Sequence, residues 1–111
     1  MNIQGKETLP LPILGTPLLY KVNESIVGKA VAFQNKGSHT LAIQADDFGQ
    51  GTVVIEWSLD GVTWNQIYNN NGQPAMFSEN YLQVSLSFCS VYLRASLINA
   101  TNPKNLTVTI G

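Results

Sequence analysis

Charge is what this chain has least of. Only 12% of its 111 residues are Asp, Glu, Lys or Arg, about half the share of an ordinary soluble domain. The six basic residues, Lys6, Lys21, Lys29, Lys36, Arg94 and Lys104, stand singly, and the net charge is −1. No basic stripe exists to track a phosphate backbone, so no nucleic-acid partner is expected. One cysteine (Cys89) and one histidine (His39) cannot build an internal disulfide, a redox pair or a zinc cage. Cys89 falls in an apolar alternating stretch and reads as a buried, inert thiol. No apolar run approaches the ~20 residues that span a bilayer as a helix, and no membrane association is expected. Met1 to Lys6 lack the basic-then-apolar order of a secretion signal. The expectation is a full-length product made in the cytoplasm.

What replaces charge is Asn, Gln, Ser and Thr beside an ordinary 44% of apolar residues. Such a surface is hydrated but can be buried against a partner at lower desolvation cost than one rich in Lys and Glu. The apolar residues recur with period two. Val53, Ile55, Trp57 and Leu59 alternate with Glu56 and Ser58. Leu82, Val84, Leu86 and Phe88 alternate with Gln83, Ser85 and Ser87. Val91, Leu93, Ala95 and Leu97 follow, then Leu106, Val108 and Ile110. Leu41, Ile43 and Ala45 form a shorter set, and residues 27–33 a strand of ambiguous facing. Each clean set predicts a strand with one face on a core. In residues 62–68, Trp64 and Ile67 cannot both face inward in a regular strand, so a bulge or bend is expected near Asn65. Turn signals separate the strands, among them residues 35–38, 48–51, Asp60-Gly61, 69–72 and Asn102-Pro103. The pattern predicts an all-β chain, a single antiparallel β-sandwich, Ig-like or jelly-roll-like.

The first twenty residues differ. Leu9, Leu11, Ile13, Leu14, Leu18 and Leu19 are interrupted by Pro10, Pro12 and Pro17. Proline removes a backbone donor and keeps the segment out of a central strand. The expected division is an extended N-terminal arm over residues 1–20 and a sandwich over 21–111. The arm lies either across its own sandwich or on a neighbouring subunit, where those six residues would form the contact.

No catalytic residue is legible. His39 follows a turn with no Ser or Cys at a recognisable elbow, and reads as a polar loop residue. Gly49-Gln50-Gly51 precedes a strand, not a helix N-terminus, so it is not a phosphate loop. Asp46, Asp47 and Asp60 lie near turns, but no loop carries a calcium spacing. No metal and no cofactor are expected. Trp57 belongs to the core. Trp64, Tyr68 and Tyr92 flank Asn-rich turns or fall on outward phases, and form a candidate surface aromatic platform. Rings beside amides suit a glycan, and they suit a protein interface equally. The Asn-x-Ser/Thr triplets at Asn23, Asn99 and Asn105 arise readily in a chain of this composition and are assigned no glycan.

Residues 52–67, Thr-Val-Val-Ile-Glu-Trp-Ser-Leu-Asp-Gly-Val-Thr-Trp-Asn-Gln-Ile, resemble a hairpin seen in bacteriophage structural proteins, in which an alternating strand runs into Ser-x-Asp-Gly-x-Thr-Trp. Asp-Gly accommodates positive backbone angles, Thr starts the return strand and Trp closes over the end. The segments 91–95 and 106–110 fit the same proteins. The resemblance implies a β-sandwich virion component: a capsid decoration (cement) protein, a head-fibre base or a tail accessory domain. The expected function is a non-enzymatic decoration subunit on the outer capsid surface. Its partners would be capsid or other virion proteins and further copies of itself. The alternative is a carbohydrate-binding module or tail-fibre domain recognising host glycans, since such modules use similar hairpins.

Overall fold

The computed structural model describes residues 13–34, 37–68, 72–88 and 90–111. Among the described residues ten strands occur in order: β1 (Thr16–Val22), β2 (Ile26–Val27), β3 (Val31–Phe33), β4 (Gly37–Gln44), β5 (Thr52–Ser58), β6 (Asn65–Gln66), β7 (Met76–Phe77), β8 (Tyr81–Phe88), β9 (Val91–Ile98) and β10 (Leu106–Ile110). The first sheet runs β1-β10-β4-β8. In the second, β9 and β5 lie side by side, β2 and β3 pair with β9, and β6 and β7 pair with β5. Every pairing is antiparallel.

The short strands are halves of interrupted edge strands. Gly28 separates β2 from β3 and donates to the Ala95 carbonyl at 2.9 Å, keeping the edge attached to β9. Ile67 donates to Ile55 at 3.3 Å, Tyr68 forms an isolated bridge with Pro74, and Met76 pairs opposite Val54. Counted as whole strands, first pairs with last, second with next-to-last, and so inward, with successive pairs alternating between sheets. That winding is a jelly roll, the second of the two expected sandwich types.

The core is the inward set of both sheets: Leu41, Ile43, Val53, Ile55, Leu93, Ala95, Leu97, Leu106, Val108 and Ile110, with Trp57, Leu86 and Phe88 packed on it. Leu18 and Leu19 also belong to it, 6% and 5% exposed. For residues 16–20 the segment packs on its own sandwich, one of the two placements expected for the arm, as strand β1 beginning at Thr16, and Leu18 and Leu19 are not free to contact a neighbour. Pro17 is tolerated because β1 is an edge strand, where its missing N–H breaks no ladder. Ile13 and Leu14 are exposed, Leu14 to 85%. Leu9 and Leu11 lie outside the described residues, as do Cys89 and residues 69–71.

Three other expectations change. Leu59 is exposed and Ser58 buried, because β5 ends at Ser58 and the chain turns. Trp64 and Ile67 have opposite facings, as a regular strand requires. The departure comes at Tyr68 instead of Asn65. The largest change is in β8. Leu41 pairs with Gln83 but His39 with Leu86, so Val84 and Ser85 together oppose Thr40, which makes a β-bulge. One extra residue reverses the facing. Leu86 and Phe88 point into the core, while Leu82 and Val84 are 63% and 64% exposed.

Candidate functional site

Four surfaces are candidates, and three of them carry residues singled out above. The first is the hairpin end. Ser58 Oγ accepts from the backbone N–H of Asp60 (3.2 Å) and Gly61 (2.8 Å) and donates to Asp60 Oδ1 (2.8 Å). The same Oδ1 accepts from Val62 (2.8 Å) and Thr63 (2.9 Å). Gly61 takes φ +78°, the left-handed angle anticipated for the turn. These bonds clamp a rigid tip that displays Leu59 and Val62 to solvent.

The amide of Thr63, then that of Val62 and the Ser58 hydroxyl, lower the Asp60 carboxyl from its ordinary 3.8 to about 2. Bonds to the ionised form favour it. The sign follows from linkage: a depressed folded pKa adds stability above the ordinary value, lost as pH falls through 3.8 toward 2. An NMR titration of the Asp60 carboxyl should show a midpoint of about 2; one at its ordinary value would mean the clamp does not form.

The second surface is the outer face of the second sheet. Glu56 and Arg94 are cross-strand partners, and Arg94 Nε donates to Glu56 Oε1 at 2.8 Å. The guanidinium also lies 4.3 Å from the centre of the Trp64 ring, a cation–π stack. One face of Trp64 is therefore occupied by its own protein. Tyr92 lies on this face too, opposite Ser58 and beside Gly61. Tyr68 is elsewhere, in a groove at the sheet edge. The structure does not bring Trp64, Tyr68 and Tyr92 into one platform.

The third surface is that groove, of about 640 Å³, between the broken edge of the second sheet and β8 of the first. Tyr68, Phe77 and Tyr81 line it with Glu79, Gln83 and Ser87. The Phe77 and Tyr81 rings meet at 4.6 Å across the gap between sheets. A more apolar recess of about 310 Å³ leads inward to Trp57, Phe88 and Leu93. Rings with a few polar groups, the Glu79 carboxylate among them, are the usual lining of a small-molecule cleft.

The fourth is the outer face of the first sheet, which sequence reasoning did not single out. Three of its four strands, β10, β4 and β8, contain no Asp, Glu, Lys or Arg. Across it run Pro17, Thr109, Ala42 and Leu82 in register. The signal was available in the positions the charged residues avoid.

The remaining candidates serve the fold. Asp47 Oδ1 accepts from Gly49 at 2.7 Å, and Asp46 Oδ2 from Asn105 Nδ2 at 2.8 Å. Among the described residues no group of His, Cys, Asp and Glu could hold a metal ion. Many amides are structural as well. Asn99, Asn102 and Asn105 take left-handed φ of 59°, 52° and 54° in turns, a conformation asparagine tolerates better than most residues. Asn80 accepts from Ala45 N, and Asn23 from Asn105 N. His39 is not a loop residue. It lies in β4, stacked on Phe88 at 3.9 Å with Phe33 edge-on, so its ring packs as an aromatic.

Fold and surfaces together define a class: a jelly-roll sandwich with an open groove at one edge and an uncharged outer face. Comparison with protein-family models, curated proteins and solved structures returned no match to this chain. No helix among the described residues is long and apolar enough to cross a membrane.

Proposed function

We propose that the chain is a non-enzymatic virion structural protein, a decoration (cement) subunit bound to the outer surface of a phage capsid after synthesis in the host cytoplasm. The observation that carries this reading is the outer face of the first sheet, free of charge across β10, β4 and β8. Three adjacent strands without a formal charge can be laid against another protein with little desolvation of ions. Exposed Ile13 and Leu14, just ahead of β1, extend the same sheet's edge with apolar side chains. Main-chain pairing by the segment before Thr16 would add to the contact. The resemblance of the sequence of residues 52–67 to a hairpin of phage structural proteins supports the same assignment.

The test is co-sedimentation with undecorated capsids. Gln44 is exposed on the uncharged face. Gln44→Lys should weaken attachment about tenfold, near 1.4 kcal/mol. Deleting residues 1–14 should weaken it further while leaving β1 and the fold intact. Attachment unchanged in both variants would refute the proposal. Glu56→Gln, on the opposite sheet, serves as the control.

A further inference from the structure

We infer that the β8 edge is a self-association surface, at which two copies of this chain pair antiparallel about a two-fold axis. A sheet edge presents unpaired N–H and C=O groups, and proteins ordinarily protect such edges with charge, proline, interruptions or short strands. Three of this sandwich's four edges are protected. β1 carries Pro17 and Lys21 and shifts register twice against β10. The β2/β3 edge is split into pieces of two and three residues around Gly28 and Lys29. The β6/β7 edge consists of two separate pairs of residues, Asn65–Gln66 and Met76–Phe77.

The fourth edge, β8, is eight residues long and contains no charge and no proline. Among the described residues it has no strand on its outer side. Its one irregularity, the bulge at Val84 and Ser85, ends the regular stretch that begins at Tyr81. It also turns Leu82 and Val84 outward together.

The occupant follows from the charge pattern. A two-fold axis places the residues lying on it against their own copies, so a charge close to the axis would face a like charge. An uncharged strand is what self-pairing requires, and it offers a foreign strand no charge to select it. An axis through Gln83 sets Leu82 of each copy opposite Val84 of the other. Four apolar side chains then meet on the outer face, and the two first sheets join into one of eight strands. Gln83 meets Gln83 on the inner side, where amides can bond reciprocally.

The test uses the full chain free in solution, so it stands apart from capsid attachment. Sedimentation velocity over a concentration series should show a dimer. Val84→Lys and Leu82→Lys should each weaken self-association about tenfold or more. Leu59→Lys, at the exposed hairpin tip, should not. Both β8 positions are solvent-facing in the monomer, so the variants keep the fold, which circular dichroism checks. Hydrogen exchange should show the β8 amides that point away from β4 protected in the wild type and unprotected in Val84→Lys. A wild-type monomer at every concentration overturns the inference, as does a dimer untouched by both lysines. A dimer lost only on deleting residues 1–12 also overturns it and identifies the N-terminal segment as the occupant.

Discussion

Leu97→Ala should destabilise the protein by about 2–5 kcal/mol, measured by urea unfolding. Leu97 is 0% exposed, sits one residue from the end of β9 opposite Val53, and has its Cδ1 close against Gly51. Truncation removes the buried side chain from its apolar surroundings and leaves a cavity that two packed sheets cannot close, since their backbones are fixed by ladders on both sides. Small domains are stable by only ~5–15 kcal/mol, so this single change removes a large part of the total. The informative comparison is Leu82→Ala. Alternation alone puts both leucines in the core. The bulge puts Leu82 in solvent, and its truncation should fall within about 0.5 kcal/mol of wild type. Equal losses at the two positions would show that β8 lacks the bulge.

Gly28→Ala is the second large effect. A Cβ at residue 28 would be driven into the Ala95 carbonyl oxygen, with the Leu19 side chain 3.2 Å away on another side. The colliding atom is backbone in a central strand, so it cannot rotate aside. Either β2 moves off β9 and the 2.9 Å bond from Gly28 N to Ala95 O is lost, or the strain is retained. Overpacking of this kind costs about 1–3 kcal/mol. Lys29→Ala, one residue along and exposed, is the control and should be close to neutral. A Gly28→Ala protein as stable as wild type would mean the edge does not approach β9 as described.

Residues 91–97 and 106–110 illustrate what was legible beforehand. Their alternation is unbroken and the ladders they form with β5 and β4 are regular, so inward and outward faces follow from counting by two. β8 has the same unbroken alternation and a different outcome. Its bulge is produced by the partner strand, which places His39 and Leu41 against Leu86 and Gln83. Nothing within residues 81–88 announces it. Leu18 and Leu19 show the converse. The prolines around them argued for an arm, but β10 offered an edge on which Pro17 costs nothing. The aromatic platform failed for a related reason. Trp64 and Tyr92 reach one face of the second sheet by register, whereas Tyr68 lines the groove at the sheet edge.

The amino-acid order alone determined that the chain is all-β, that its strands have oily sides, and that Asp60-Gly61 makes a tight turn. Those properties depend on neighbours one to four residues apart, through side-chain parity and local backbone sterics. Tertiary structure alone decided the jelly-roll winding, the facing of Leu82 and Val84, the Arg94 cover over Trp64, and the gathering of uncharged strands into one sheet. Each depends on which distant segments pair and in what register, for example Glu56 with Arg94, 38 residues away. Register is set by the whole core closing at once, so no single strand contains it.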